Sequence, residues 1–214
     1  MSPRRRLGDV RRPQILEAAA AVIAERGLPD TRIADIATRA GTSPALVLYY
    51  FRTKDELLAE ALVFADERFY DATRQELAGI ASATERLCRL IELNFATDGP
   101  GPEAWREDWI LWLDLWARAP RDPVVARGRE ALDHRWRETI AAIVREGQAR
   151  GEFGPVDPFA FAIRLAALTD GLAIQLVLGD PAVTPGQAAA LCLASVSQEL
   201  GFALPPSGVS PPPG

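Results

Sequence analysis

The 214-residue chain has little of the side-chain chemistry that most metal sites and catalytic centres use. Its two cysteines, Cys88 and Cys192, lie far apart without C-x-x-C spacing, and a single pair makes no disulfide framework. The only histidine, His134, has no Cys or His near it, so we expect a solvated side chain and no structural zinc. A catalytic triad would depend on this one residue, and no G-x-S-x-G motif accompanies it. We therefore expect no metal and no cofactor.

Long apolar runs are also missing. None reaches the roughly 18 residues that a membrane-spanning helix needs, and the longest candidate, residues 159–179, is interrupted by Arg164 and Asp170. The short basic N-terminus lacks the apolar stretch of a secretory signal. Hydrophobic residues make up 48% of the chain and charged residues 25%, as in folded soluble proteins. We expect a cytoplasmic protein with no membrane partner.

Lysine is nearly absent, because Lys54 is the only lysine among 24 basic residues. The net charge of −5 is unevenly spread: residues 1–60 carry a small basic excess, and the remainder is acidic. A basic head on an acidic body suits a protein that offers one end to a polyanion. Five arginines near the N-terminus resemble a mobile arm that binds phosphates, with an ordinary solvated terminus as the alternative. They are Arg4, Arg5, Arg6, Arg11 and Arg12.

The sequence predicts an all-α protein. No stretch alternates apolar and polar residues over a strand's length, and no hairpin signal separates two apolar runs. Caps and stops, with Thr31, Ser43 and Thr53 as the first three N-caps, divide the chain into nine helices. The predicted helices cover residues 13–26, 32–40, 44–51, 54–79, 82–97, 103–119, 124–150, 158–179 and 185–201. The tail over residues 203–214 contains five prolines and is expected to be disordered.

The second and third predicted helices form a helix-turn-helix pattern, with Gly41 in the turn between them. In such a unit the second helix enters the major groove of DNA. Four small or branched residues are expected to pack between the two helices. They are Ile36, Ala37, Ala40 and Val47.

Three segments of the head resemble the DNA-binding domain of TetR-family repressors: residues 31–37 (TRIADIA), 40–43 (AGTS) and 49–58 (YYFRTKDELL). The body is similar to the ligand domain of the choline-responsive BetI subgroup at residues 115–119, 122–123, 135–137 and 170–172. The resemblance implies a three-helix head joined by a long helix to a helical ligand-binding and dimerisation body. The implied domains are residues 1–55, 56–202 and the tail 203–214. The chain departs from the family pattern at Leu48, where tyrosine is common, and at Tyr49, where histidine or tyrosine is frequent.

The third helix has no Arg, Asn or Gln, the usual readers of base edges. We therefore expect it to read thymine methyl groups, hydroxyl hydrogen bonds and DNA shape. Lys54 would lie in the first turn of the fourth helix, where backbone N–H groups attract phosphate, and the resemblance implies the same role. A solvated lysine is the alternative. Some of Leu46, Val47 and Leu48 must be core, and Val47 is the safest of them. The predicted DNA-binding residues are Thr31, Arg32, Ser43, Pro44, Ala45, Leu46, Tyr49, Tyr50 and Lys54.

Four tryptophans share one face of the sixth predicted helix, at spacings of 4, 3 and 4 residues. Such a stripe is typical of a core, but indole faces also bind cations, and Asp108 lies beside the stripe. Asp170 is a charge in an otherwise apolar helix and needs a partner if it is buried. Together these residues suggest a pocket for an amine or a quaternary ammonium compound, as the BetI resemblance implies. The predicted ligand-binding residues are Trp105, Asp108, Trp109, Trp112, Trp116 and Asp170.

The eighth predicted helix is apolar on all sides, which suits a dimer interface or, alternatively, a helix buried inside one chain. In the ninth helix, small residues would permit close approach; they are Ala189, Ala190, Ala194 and Ser195. The sequence thus predicts a homodimeric transcriptional repressor that leaves a palindromic operator when a small-molecule effector binds. Two alternatives stay open: an activator or nucleoid-type DNA-binding protein without an effector, and an all-helical enzyme that uses the aromatic body as its active site.

Overall fold

The computed structural model describes residues 7–95 and 102–204. These residues form nine α-helices and contain no β-strand, which confirms the predicted fold class. The helices are α1 (Leu7–Asp30), α2 (Ile33–Arg39), α3 (Pro44–Tyr50), α4 (Lys54–Leu77), α5 (Ala83–Asn94), α6 (Pro102–Arg118), α7 (Pro123–Ala149), α8 (Pro158–Leu178) and α9 (Pro185–Leu200). The predictions for Arg4 to Arg6 and for residues 205–214 lie outside the described residues.

The first helix departs most from its prediction. It begins at Leu7 rather than at Pro13, and non-helical backbone interrupts it at Gly27, where the sequence predicted its end. Because Arg11 and Arg12 are helical, they do not belong to a mobile arm. Arg12 forms an ion pair with Glu60, and its guanidinium lies 5.3 Å from the centre of the Phe51 ring. Long-range packing therefore holds a residue that local sequence assigned to a free terminus.

The chain divides by packing into two compact units. Among the described residues, the first unit comprises residues 7–72 and 102–134, and the second comprises residues 73–95 and 135–204. The predicted DNA-binding residues all belong to the first unit. The functional boundary at residue 55 remains a prediction.

In the first unit, α1 to α3, the start of α4 and part of α6 share one apolar core. Ile36, Ala37 and Val47 are buried in it as predicted, and Ala40 is partly buried. The core extends to Leu111 of α6, so this helix contributes directly to the packing around α1 to α4. Its fully buried large side chains include Ile15, Ile23, Phe51, Leu57 and Leu58.

In the second unit, α8 packs against α9, and α9 also contacts α5. Cys88 of α5 and Cys192 of α9 are buried free thiols, and burial raises their pKa values to about 11 and about 12. Both are therefore neutral packing residues at physiological pH.

Within the described residues, α8 is long and apolar enough to cross a bilayer by length and composition, and 39% of its most apolar 18-residue window is buried. Arg164 and Asp170 were expected to interrupt such a span, but these two charges do not exclude a membrane-spanning helix by composition. A core helix of a folded protein has the same composition, and α8 buries one face, including Phe161, Leu165 and Ala173, against its own chain. The opposite face leaves Ile163 and Leu178 exposed.

Candidate functional site

The turn between α2 and α3 has a specific hydrogen-bonded geometry. The Thr42 N–H donates to the Ala37 carbonyl at 2.9 Å and the Gly41 N–H donates to the Thr38 carbonyl at 3.2 Å, which is a Schellman motif. Gly41 has a φ of 61°, a left-handed conformation that favours glycine. Ser43 then caps α3, because its Oγ accepts a hydrogen bond from the Leu46 N–H at 3.2 Å. The predicted helix-turn-helix therefore has a defined start for its second helix.

Val47 fixes the orientation of α3, because its side chain is fully buried in the core of the first unit. The start of the helix is open to solvent: Ser43, Pro44 and Ala45 are exposed. Tyr49 is 79% exposed, and its ring meets the ring of Tyr50 edge-on at 5.4 Å. The remaining predicted residues of α3, Leu46 and Tyr50, are half-buried. α3 is thus held from one side and presented on the other.

Leu48 is an exposed residue that the sequence did not separate from the core. Its side chain is 47% exposed, so of the three consecutive residues 46–48 only Val47 is buried. Helical spacing is the signal that could have identified it, since Leu48 lies three residues after Ala45 and four after Pro44. These three exposed positions adjoin one another on the helix surface.

The start of α4 carries the cationic residue that the sequence predicted. Lys54 is the first residue of the helix, and Thr53 Oγ1 accepts from the Glu56 N–H at 3.0 Å, as an N-cap does. The Glu56 carboxylate accepts from the Arg52 N–H at 2.9 Å, one residue before the Thr53 N–H that a capping box would use. Lys54 Nζ donates to the Pro29 carbonyl at 3.3 Å, which ties the side chain to the end of α1 and leaves further ammonium hydrogens available.

Thr31 is not the N-cap of α2 that the sequence predicted. Only 1% of the residue is exposed, and its hydroxyl donates to the Gly27 carbonyl at 2.8 Å. The backbone break at Gly27 leaves a carbonyl that needs a donor, and the buried threonine satisfies it. The N-cap of α2 is Arg32, without a capping side chain. Thr31 therefore has a structural role in this structure, and its predicted contact with DNA stays a prediction.

Two exposed arginines flank α2 and α3. Arg32 precedes α2 and Arg52 follows α3, and neither side chain forms an ion pair within the described part of the chain. In contrast, Arg39 pairs with Glu25, and Arg26 pairs with Asp35 at 2.9 Å. Arg52 was not among the predicted DNA-binding residues, although its place two residues before Lys54 could have suggested it.

The four tryptophans of α6 form a continuous aromatic row in the first unit. The Trp109 ring centre lies 6.0 Å from those of both Trp105 and Trp116, and the Trp112 and Trp116 centres are 5.9 Å apart. Trp109 is buried, and the other three are half-buried. Part of the row is therefore core, and part of the indole surface remains accessible.

Asp108 is adjacent to this row by helical spacing, three residues after Trp105 and four before Trp112. Desolvation by the surrounding protein raises the pKa of its carboxyl to about 6, although over a third of the residue is exposed; Arg68 opposes this shift and Glu107 adds to it. Asp170 lies half-buried on α8 in the second unit, and its place in the same site stays a prediction.

Comparison with known proteins covers both parts of the chain. Residues 15–61 match the family model of bacterial regulatory proteins of the tetR family, and residues 83–201 match that of the BetI-type transcriptional repressor C-terminal domain. The HTH-type transcriptional regulator BetI of Cronobacter sakazakii is 29% identical over 95% of this chain and 97% of its own length. BetI of Burkholderia cenocepacia is 30% identical over 84% of this chain and 89% of its own.

Solved structures show the same similarity. A transcriptional regulator from Saccharomonospora viridis, determined in complex with choline, is 36% identical with a TM-score of 0.80, covering 88% of this chain and 96% of that one. A TetR-family regulator from Rhodococcus sp. is 30% identical with a TM-score of 0.78, covering 89% of this chain and 98% of that one.

Proposed function

Because this chain belongs to the TetR family of regulatory proteins and carries a BetI-type C-terminal domain, we propose that it represses transcription from a palindromic operator until a small cationic effector releases it. The families that it matches are transcriptional regulators and not enzymes. The observation that carries the proposal is the exposed α3, anchored by Val47 and followed directly by Arg52 and Lys54. We infer that the protein acts in the cytoplasm, where its operator is.

DNA binding would use α3 in the major groove and cations on the phosphates beside it. Arg32, Arg52 and Lys54 supply the charge. The Ser43 hydroxyl uses an acceptor site for the Leu46 N–H, so its hydrogen is available for a phosphate oxygen. The other contacts that we propose come from α3. They are Pro44, Ala45, Leu46, Tyr49 and Tyr50.

Two copies of the chain would read the two halves of the operator. The outer faces of α8 and α9 support this dimer, because Ile163, Leu178 and Leu191 are 44%, 72% and 55% exposed. Apolar patches of this kind are usually buried against a partner. Ala190, Ala194 and Ser195 are also exposed on α9 and would let a second copy approach closely, whereas Ala189 is buried within its own chain. Two-fold symmetry would place two α3 helices on successive turns of the duplex.

The effector would bind at the tryptophan row of α6. Indole faces attract quaternary ammonium groups, and Asp108 supplies a negative charge beside them. The similarity to a regulator that was crystallised with choline supports this class of ligand. At the end of the same helix, Arg118 forms an ion pair with Asp55 in the first turn of α4. A ligand that favours one position of α6 would therefore shift α4 and the neighbouring Lys54, provided that its affinities for the two arrangements differ.

Capture of genomic fragments by the full-length protein, followed by footprinting, tests the proposal. We expect one or a few palindromic sites, an affinity that falls steeply with salt, and weaker binding when choline is added. Protection of DNA without regard to sequence would favour a nucleoid-type protein and overturn the repressor. Specific binding that is insensitive to choline and to other quaternary amines would support the DNA-binding function and contradict the proposed class of effector.

A further inference from the structure

We propose that Leu48 reads the 5-methyl group of a thymine in each half of the operator. This inference rests on the proposed function and deepens it. It assigns a specific base, thymine, to Leu48, a residue that stands where the family commonly has tyrosine. An apolar readout by α3 was expected from its composition alone. The structure identifies Leu48 as a candidate for this contact, because its side chain is exposed, whereas the sequence pattern did not show whether it lies in the core or at the surface.

Part of the exposed surface of α3 is an apolar strip formed by Pro44, Ala45 and Leu48. The three residues are neighbours at helical spacings of three and four, and all three are exposed. Leu48 is the largest of them, with 47% of its surface in contact with solvent. None of the three side chains can donate or accept a hydrogen bond. Whatever this strip meets, it must recognise apolar groups.

The charges around the strip identify the occupant as duplex DNA. Arg32 and Arg52 flank the two helices without ion pairs in the described part of the chain, and Lys54 begins α4 immediately afterwards. Exposed cations of this kind bind phosphates in a salt-dependent, sequence-independent way. Phosphate contacts would hold the apolar strip against the base edges in the major groove, where the strip would contribute to the sequence preference.

Thymine is the base that offers an apolar group at this edge. In the major groove, adenine, guanine and cytosine present hydrogen-bond donors or acceptors, whereas thymine presents one acceptor and its C5-methyl. A leucine facing any other base would remove water from a polar group and return no hydrogen bond. Leu48 therefore favours thymine both by contacting the methyl and by penalising the alternatives.

Tyr49 is exposed beside the apolar strip and differs from its residues because it carries a hydroxyl group. Its hydroxyl can reach a phosphate or a base, and its edge-on contact with the half-buried Tyr50 restricts the ring. Replacing Tyr49 with phenylalanine removes the hydroxyl and keeps the ring. The Y49F variant is therefore the matched control: it removes a possible polar contact from the same exposed face and keeps Leu48.

The experiment uses the full-length protein and an operator selected from random duplex DNA. Each thymine of one half-site is replaced in turn by deoxyuridine, which removes only the methyl group, and the dissociation constant is measured. We expect one position at which deoxyuridine weakens binding about fourfold, the value for one methyl group removed from an apolar contact. In the Leu48→Ala variant, deoxyuridine at that position should have no effect, while the Y49F variant should keep the full fourfold loss.

A second substitution tests the methyl directly. Replacing the same T·A pair with C·G should weaken binding, and 5-methylcytosine at that position should recover part of the loss because it restores the methyl. Circular dichroism checks that Leu48→Ala is folded, as its exposed position predicts. Equal deoxyuridine losses in the wild type and in Leu48→Ala, or no sensitive thymine, would overturn the assignment. Failure of the wild type to select any sequence would overturn the proposed function instead.

Discussion

Arg118 Nη2 lies 2.8 Å from Asp55 Oδ1, so an ion pair joins the last residue of α6 to the first turn of α4. The Asp55 side chain is 69% exposed, and an ion pair in such a position contributes at most about 1 kcal/mol to folding. Its position is more informative than its strength. It connects the helix that carries the tryptophan row to the turn that begins with Lys54.

The Asp55→Asn variant should uncouple DNA binding from the effector. Removing a negative charge beside Lys54 should leave operator affinity unchanged or raise it, because the same phosphates are contacted with less repulsion. The ratio of operator dissociation constants with and without choline should fall by up to about fivefold, because an ion pair worth at most about 1 kcal/mol can carry no more coupling than that. Fluorescence anisotropy with a labelled operator gives both values.

Glu60→Gln is the matched control for this prediction. It removes the ion pair between Glu60 of α4 and Arg12 of α1, which does not involve α6. The choline response of Glu60→Gln should equal that of the wild type. An unchanged response in Asp55→Asn would show that the Arg118 contact does not transmit the signal.

Effector affinity should depend on pH through Asp108. Because desolvation raises the pKa of this carboxyl to about 6, the group is mostly neutral at pH 5 and mostly ionised at pH 7. Only the ionised form attracts a cation, so choline should bind about tenfold more weakly at pH 5 than at pH 7, in proportion to the competent fraction. Isothermal titration calorimetry at several pH values measures this dependence.

In the Asp108→Asn variant the pH dependence should disappear, and affinity at pH 7 should fall toward the wild-type value at pH 5. Asp114→Asn, which changes another aspartate of α6, should keep the wild-type profile. A pH profile that persists in Asp108→Asn would assign the titrating group elsewhere.

Dimer formation should depend on the outer faces of α8 and α9. Leu191→Arg introduces a charge into a patch that we propose is buried between two copies, and an unpaired buried charge is strongly destabilising. We expect a monomer by analytical ultracentrifugation and a loss of specific operator binding. Leu204→Arg is the control, because Leu204 is also exposed, at 42%, but lies beyond the end of α9. A dimeric Leu191→Arg variant would place the interface on another surface.

Local signals in the sequence located the helices well. The structure confirms the predicted N-cap at Ser43, and Asp157 and Thr184 cap α8 and α9 in the same way, by accepting hydrogen bonds from backbone N–H groups two or three residues away. Each cap also precedes a proline, which fixes the first helical residue. Helix starts of this kind can be predicted because the determining atoms are close in sequence.

The errors concern interactions that local patterns do not contain. Thr31 resembles an N-cap, but a backbone break four residues earlier attracts its hydroxyl into the core. Arg12 resembles part of a free arm, but it contacts Phe51 and Glu60, nearly forty or more residues away. The exposure of Leu48 depends on which face of a seven-residue helix is buried, and three consecutive branched residues do not reveal that face. Tertiary packing decided each case.

Glu152 should stabilise the second unit through the N-terminus of α5. Its carboxylate accepts hydrogen bonds from the Ser82 hydroxyl at 2.7 Å and from the N–H groups of Ala83 and Thr84 at 3.1 and 2.9 Å. These bonds, led by that of Thr84, lower its pKa from 4.5 to about 2. Glu152→Gln should therefore cost about 1 kcal/mol of unfolding free energy at pH 7, as the loss of a helix cap does.

The sign of the pH dependence follows from the lowered pKa. The contribution of Glu152 is complete above pH 4.5 and is lost as the pH falls toward 2, so the stability difference between wild type and Glu152→Gln should shrink over that range. Urea denaturation at pH 7 and at pH 3.5 measures it. Glu138→Gln, which removes a solvent-exposed ion pair with Arg145, should change stability by less than about 0.5 kcal/mol. A Glu152→Gln variant as stable as this control would contradict the capping role.

Lys54→Gln should weaken binding to operator and to random DNA by similar factors. A phosphate contact carries no sequence information, so the ratio of the two affinities should be preserved while both fall about tenfold. A dimer contains two copies of Lys54, and the slope of log affinity against log salt should therefore decrease by about 2. Lys54→Arg keeps the charge and should retain most of the affinity.

The Pro29 carbonyl that Lys54 contacts in the free protein is a single neutral acceptor, so the ammonium group can exchange this partner for a phosphate at little cost. A salt slope unchanged in Lys54→Gln would mean that the lysine stays on Pro29 when DNA is bound, and the phosphate role would then pass to Arg32 and Arg52.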